Sequence, residues 1–113
     1  AQYSVQDLHD IWKAVGTPIT FDYHHHRCYN DPMPEKQALE LAAETWPEGI
    51  RQLCHYSSAK KLHEDASSII RAHADYLYEP IEDYGMELDI ELEVKAKELA
   101  LQKYMKQFAE VLI

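Results

Sequence analysis

The segment FDYHHHRCYN, at positions 21–30, constrains the fold more than any other stretch of this chain. Apolar and polar residues alternate over Ile19–His24, immediately after a proline. A period of two predicts a β-strand whose polar face carries Asp22 and His24. We therefore expect a strand that runs directly into one aspartate and three consecutive histidines.

A carboxylate and imidazoles at one strand end form a candidate metal site. These ligands suit a borderline divalent ion such as manganese, zinc or iron, and a buried Asp22 without such a partner is costly. The histidines lie inside the chain and precede Arg27, so they are not a purification tag. At this stage the alternative remains open that they only contact water at a polar strand end.

Composition narrows the class of protein. The chain has 113 residues, which indicates one domain, and it begins at Ala1, so we expect it to be part of a longer protein. No apolar run approaches the roughly 20 residues that cross a bilayer, which argues against a membrane protein. Two cysteines, Cys28 and Cys54, are too few for a disulfide framework and predict free thiols in an intracellular, cytoplasmic setting.

The charge of the chain bears on its partners. A formal net charge of -9 argues against a general nucleic-acid-binding surface, because such surfaces neutralise phosphates with Lys and Arg. Clustered carboxylates are, however, the ligands that metal sites require.

Hydrophobic periodicity and breakers predict the order of elements. Helices are predicted at Ser4–Val15, Glu35–Thr45 and Val94–Leu112, strands at Ile19–His24, Ile50–Tyr56 and Met86–Glu93, and a long loop with helical pieces at Ala59–Tyr84. The loop from Asn30 to Pro34 separates the first strand from the second helix.

The apolar faces of the outer helices follow from residue spacing. The first helix should bury Leu8, Ile11, Trp12 and Val15, with Ser4 as its N-cap. The last helix should bury Leu99, Leu101, Met105, Phe108 and Leu112. His9 and His63 are interpreted as ordinary surface histidines.

The segment Met86–Glu93 alternates strictly between apolar and acidic residues. The competing interpretation, an amphipathic helix, places Leu88 and Ile90 on opposite faces, so we prefer a strand with a fully acidic face.

Strands that alternate with helices predict an α/β fold built from parallel βαβ units. Chemistry in a (β/α)8 TIM barrel lies at the C-terminal ends of its strands, and Asp22, His25, His55 and Glu93 all fall there. A doubly wound sheet also places function at strand ends, but it gives no reason for successive strands to end in these residues. We predict that residues 1–113 are the C-terminal part of a single TIM-barrel domain, its last three or so β/α units.

Five motifs, in this order, resemble the C-terminal part of the ultraviolet damage endonucleases: FDYHHHRCYN, AAETWP, LCHYSS, RAHADYL and ELEVKAKELAL. The resemblance implies a TIM-barrel DNA repair enzyme that uses divalent ions, most often manganese. It implies hydrolysis of the DNA phosphodiester 5′ to an ultraviolet photoproduct, with damaged double-stranded DNA as the partner.

Matching motif positions imply the roles of individual residues. Asp22, His55 and Glu93 would be the catalytic residues and would share one metal ion, whereas His25 and His73 would bind another. His24 and His26 match the triple-histidine motif without a ligand role, which implies packing or support of the ligands.

Two departures from the family accompany the resemblance. Leu53 stands where the family commonly has a lysine, two residues before the strand-end histidine. The N-terminal strands of the barrel and the remaining ligands are absent from this chain, so we expect the missing N-terminal part of the barrel as a partner and no activity in the isolated chain.

Two other functions fit some of the same residues. A sugar isomerase or epimerase of the xylose isomerase kind shares the barrel and the ligand types but handles a small polyol. A stand-alone metal-binding module would use the ligands without catalysis.

Overall fold

A computed structural model describes residues 4–29 and 31–112, with the side chains of residues 109–112 left out, so the predicted roles of Asn30 and of the Leu112 side chain lie outside the described part. The elements are, in chain order, α1 Val5–Val15, β1 Phe21–Asp22, α2 Tyr23–Cys28, α3 Glu35–Ala43, β2 Gln52–Tyr56, α4 Lys60–His63, β3 Leu88–Leu92 and α5 Glu98–Leu112. They divide into two compact units, the first up to His55 together with Asp83–Glu91, the second Tyr56–Glu82 together with the chain from Leu92. None of the described helices is long and apolar enough to cross a membrane.

The three strands form one sheet in the order β1-β2-β3. β1 and β2 pair in parallel, with Phe21 opposite Cys54 and Asp22 opposite His55. Along β2 buried and half-buried residues alternate, whereas β3 alternates half-buried and exposed residues. The predicted strands in these three segments and the acidic face of β3 are confirmed.

α1 begins and ends as its sequence predicts. The Ser4 hydroxyl accepts a hydrogen bond from the Asp7 N–H, and the Asp7 carboxylate accepts one from the Ser4 N–H, which satisfies two of the helix's unpaired donors. Gly16 closes the helix at φ 77°, a conformation that favours glycine.

The buried face of α1 differs from the prediction. Ile11 and Val15 are exposed, whereas Val5 and His9 face the core, and His9 is only 5% exposed. Val5 and His9 are four residues apart and therefore share one face of the helix. α1 packs on α3, and these two residues are the buried ones of α1. The His9 ring packs on Trp12 at 5.1 Å between centroids, and its Nε2 lies 3.7 Å from the Glu44 carboxylate. The interpretation of His9 as a surface histidine was therefore wrong.

The histidine run lies in a helix and not in a strand. β1 is only two residues long, and α2 starts at Tyr23 because the Asp22 side chain accepts the His25 N–H at 2.9 Å. Aspartate is among the best N-cap residues, so a strand-ending aspartate also starts a helix. The prediction of a strand through His24 was wrong from Tyr23 onward.

A partly buried ionic cluster holds α2 against the start of α3. The Arg27 guanidinium donates two hydrogen bonds to the Glu35 carboxylate, at 2.6 Å and 3.0 Å, and the Tyr84 hydroxyl donates a third at 2.5 Å. Tyr84 has φ 55°, in the left-handed region that a bulky residue seldom adopts. The contact between Tyr84 and Glu35 ties the turn before β3 to the start of α3, and Arg27 links the same carboxylate to α2, the helix that carries His25.

In the second unit the carboxylate of Glu79 binds side chains from the end of β2 and from the segment that follows it. Glu79 accepts hydrogen bonds from the Tyr56 and Ser58 hydroxyls. Its other oxygen lies 2.7 Å from Nε2 of His63, whose ring also stacks on Tyr78 at 4.8 Å. His63 is exposed but is not an ordinary solvated histidine, so that interpretation was incomplete.

α5 starts later than predicted and buries a different face. Lys97 has φ 48° and the Ala96 N–H bonds to the Asp75 carbonyl, so the helical ladder cannot extend back to Val94. Ala100 and Tyr104 are buried, whereas Leu99, Leu101 and Met105 are exposed, contrary to the predicted apolar face.

We expect Thr45→Val to lower the free energy of unfolding by about 1–3 kcal/mol. The buried Thr45 hydroxyl accepts the Ile19 N–H at 2.8 Å and donates to the Ala42 carbonyl at 2.6 Å. Valine keeps the shape of the side chain but leaves that buried N–H without an acceptor. Urea unfolding measures the effect, and Thr20→Val, at an exposed position just before β1, is the matched control. Equal losses in the two variants would contradict the role of Thr45.

The Glu35 cluster makes stability depend on pH. Burial by itself raises the pKa of Glu35, but hydrogen bonds from Arg27 and Tyr84 outweigh it, and the net pKa lies below the ordinary value. Such a carboxylate stabilises the folded state above the unfolded pKa of about 4.3 and loses this contribution as the pH falls through its folded pKa. We expect Glu35→Gln to be less stable than wild type at pH 7 and to lose less stability on acidification. Unfolding curves across this range test this, with Glu40→Gln, exposed on the same helix, as control.

Candidate metal centre

The register of β1 and β2 brings two sequence-predicted ligands together. Asp22 is the last residue of β1 and lies opposite His55 of β2 in the parallel ladder. Cross-strand partners in register project from the same face of a sheet. A carboxylate and an imidazole therefore stand side by side at the C-terminal ends of neighbouring strands.

The backbone also places the third ligand. Glu93 directly follows β3, and its N–H donates to the carbonyl of Tyr56, the residue after His55, at 2.9 Å. This hydrogen bond places Glu93 beside the C-terminal end of β2.

Asp22, His55 and Glu93 each offer one ligand atom, and the three atoms lie within 4.8 Å of one another. All three residues are half-buried. Ligand atoms lie about 2.0–2.2 Å from a bound ion, so the three side chains would draw closer together to bind the same ion. Two oxygen donors and one nitrogen donor suit a divalent ion of the manganese, iron or zinc type.

The Asp22 carboxylate caps a helix and is also a candidate ligand. Its Oδ1 caps α2 by accepting the His25 N–H, and a carboxylate has a second oxygen that can face an ion. The same hydrogen bond therefore sets the direction of the carboxylate and the start of the helix that carries the histidines.

His25 lies next to Asp22 but does not join the three-residue cluster among the described residues. Its ring packs on Tyr29 at 4.5 Å between centroids, and it lines with Asp22 a pocket of about 500 Å³ that also includes Leu8 and Phe21. His25 is thus presented at the same strand end, one helical turn beyond the aspartate.

His73 belongs to the loop after β2. It is half-buried and pairs with Ala59 in an isolated antiparallel bridge. Within the part of the chain that the structure describes, it stands outside the cluster of three ligands.

His24 and His26 take part in packing. Both are buried; Nε2 of His24 lies 3.3 Å from the Cys28 sulfur, and Nε2 of His26 lies 2.8 Å from the Met33 carbonyl oxygen. These contacts agree with the supporting role implied for both residues.

The cysteines are both free thiols, as expected. Burial raises the pKa of the Cys54 thiol to about 12. Burial and the nearby charge of Asp22 also raise the pKa of Cys28. Because the thiolate is the nucleophile, neither sulfur is suited to nucleophilic attack at neutral pH.

Sequence reasoning missed the individual role of Glu91. Its Oε2 lies 3.2 Å from Nε2 of His55, although it was noted only as one of several acids on β3. The period of two in β3 was the available signal, because it places Glu91 on the same face as Glu93.

Comparisons with known proteins identify the family and the fold of the chain. The family described as UV-endonuclease UvdE matches residues 1–112. The UV DNA damage endonuclease of Clostridium perfringens is 30% identical over 96% of this chain and 27% of its own length. The UV-damage endonuclease of Schizosaccharomyces pombe is 29% identical over 94% of the chain and 18% of its own length. The chain thus spans between 18% and 27% of these relatives.

A crystal structure, that of SacUVDE, resembles the fold with a TM-score of 0.73 and 29% identity, over 96% of this chain and 37% of that one. This likeness and the parallel β1–β2 pair confirm the predicted α/β fold of the TIM-barrel type. With nearly all of its residues matched by the family, the chain belongs to the UV-endonuclease UvdE family.

Proposed function

We propose that this chain forms part of a metal-dependent DNA repair endonuclease that hydrolyses the phosphodiester 5′ to ultraviolet photoproducts. The observation that carries the proposal is the convergence of Asp22, His55 and Glu93 at the strand ends. Membership of the family supplies the reaction, and the ligand types supply the chemistry.

In this proposal Asp22, His55 and Glu93 hold one divalent ion, most often manganese. His25 and His73 serve a second ion together with ligands from elsewhere in the protein. Bound ions would lower the pKa of a coordinated water and offset charge that develops on the phosphate. The carboxylates of Asp22 and Glu93 supply the negative charge that retains the ions, and the His55 imidazole binds in its neutral form.

The partner in this proposal is damaged double-stranded DNA. With a net charge of -9, the chain as a whole repels phosphates. Attraction of DNA would therefore depend on cations at the strand ends and on the rest of the parent protein, the N-terminal part of the barrel. For the same reason we propose that the isolated chain lacks nuclease activity.

Leu53 is half-buried on β2, two residues before His55 and on the same face of the strand. At this position a leucine provides no metal ligand and no charge. The proposal therefore assigns it no catalytic role.

Metal binding by the isolated chain should be weak, because three converging ligands leave a site open to solvent and poorly ordered. Calorimetric titration with Mn²⁺ should give a dissociation constant above about 10 µM, and Asp22→Asn should abolish the signal. Tight stoichiometric binding by the chain, or equal binding by Asp22→Asn, would contradict the proposed site.

In the full-length protein, Asp22→Asn and Glu93→Gln should each reduce nicking of irradiated duplex DNA by about 100-fold or more, beyond the 10–100-fold typical of residues that only support a ligand. Each change removes a charge and nearly keeps the shape of the side chain. Asparagine also caps helices well, so unfolding of Asp22→Asn should change by less than about 1 kcal/mol. The assay compares irradiated with unirradiated DNA in chelator-treated samples restored with Mn²⁺.

Glu48→Gln is the control for this experiment, since it removes one exposed carboxylate outside the site. Changing His63 is a poor control because its ring contacts Glu79 and Tyr78. Full activity in Asp22→Asn would end the metal assignment. If the wild type cleaved undamaged DNA equally well, the proposed metal site would still stand, but the proposed specificity for photoproducts would be contradicted.

A further inference from the structure

One face of the β2–β3 pair carries a row of charged contacts. Asp89 and Glu91 alternate with apolar residues along β3, and Glu93 follows in the same phase. Nη1 of Arg51 lies 3.3 Å from Oδ1 of Asp89, and Nε2 of His55 lies 3.2 Å from Oε2 of Glu91. Asp89 thus meets Arg51, just before β2, and Glu91 meets His55 of β2, whereas Glu93 joins the three candidate ligands.

We propose that Glu91 is a positioning residue for His55, acting on the imidazole and not on the metal ion. The inference rests on the proposed function, because His55 needs a specified orientation only if it is a ligand. It assigns a role to a residue that belongs to none of the ligand positions discussed above.

The placement of Glu91 separates it from the ligands. Among the described residues, the ligand atoms that lie mutually within 4.8 Å come from Asp22, His55 and Glu93, and Glu91 is not one of them. Its side chain is 61% exposed, compared with 32% for His55. Glu91 therefore reaches the imidazole from the solvent side of the strand.

Hydrogen bonding to the imidazole decides which nitrogen can bind an ion. A neutral histidine carries a proton on one ring nitrogen and a lone pair on the other. A carboxylate beside Nε2 favours the proton on that atom, which leaves the lone pair on Nδ1 for the ion. The same contact restricts rotation of the ring.

The size of the effect follows from this indirect role. Partners that orient a metal-ligating histidine typically contribute 10–100-fold in metal affinity. Because Glu91 is largely exposed, water competes with its hydrogen bond, so we expect the lower part of this range, about 10-fold.

The first test measures His55 itself in the metal-free 113-residue chain by ¹⁵N NMR of the ring nitrogens. The spectra are recorded at about pH 9, because histidine side chains in general are neutral there and the two tautomers of a neutral ring give distinguishable signals. Wild type should hold the proton on Nε2, and Glu91→Ala should shift the population measurably toward the Nδ1–H form. Glu91→Gln keeps an acceptor and should restore part of the bias. An unchanged tautomer in Glu91→Ala, or a proton on Nδ1 in wild type, would overturn the proposal.

The second test follows Mn²⁺ affinity by paramagnetic broadening of the same chain, a method suited to weak binding. Glu91→Ala should weaken binding about 10-fold, with its backbone amide spectrum otherwise unchanged. Asp89→Ala is the matched control, because it removes a carboxylate of similar exposure from the same face and breaks the contact with Arg51, away from His55. Its affinity should stay within twofold of wild type, and equal losses in the two variants would overturn the role of Glu91. A wild-type chain that does not bind Mn²⁺ would count against the proposed metal site, whereas the tautomer measurement would still decide the contact between Glu91 and His55.

Discussion

Backbone hydrogen bonding at the ends of the strands is the constraint on which the rest of the site depends. The parallel ladder sets Asp22 opposite His55, and the Glu93 N–H bonds to the carbonyl that follows His55. Backbone pairing thus brings together three candidate ligands that are far apart in sequence. Because strand side chains alternate strictly, a slip of one residue would turn a ligand to the other face of the sheet.

Asp22 connects the sheet to the helix that carries the three histidines. Its carboxylate ends a strand, caps α2 and belongs to the ligand cluster. Since the cap starts the helix at Tyr23, the histidines diverge in direction: His24 and His26 point into the core and His25 remains half-buried beside the aspartate. The contacts of Arg27 and Tyr84 with Glu35 then hold this short helix in place.

The alternating acidic residues Asp89, Glu91 and Glu93 each have a different partner. Asp89 meets Arg51, Glu91 meets His55, and Glu93 joins the cluster. Concentrating carboxylates in this way is unfavourable without cations, because like charges at close range repel. Arg51, just before β2, and His55 on β2 offset part of this repulsion. The remaining negative charge at the strand ends is what a divalent ion would neutralise.

The sequence by itself determined the features that depend on short-range chemistry: the capping box of α1, the strands of alternating residues and the acidic row that ends in Glu93. It also indicated Asp22, His55 and Glu93 as candidate ligands, through their positions at strand ends and through the resemblance of the motifs that carry them to a known family. Only the tertiary structure decided that the histidine run is helical, that His9 is buried, that His63 binds Glu79, and that α5 buries Ala100 and Tyr104 and not Leu99 or Leu101. The physical reason is that periodicity defines which residues share a face, whereas burial of that face and the partner of each polar group depend on contacts between segments distant in the chain.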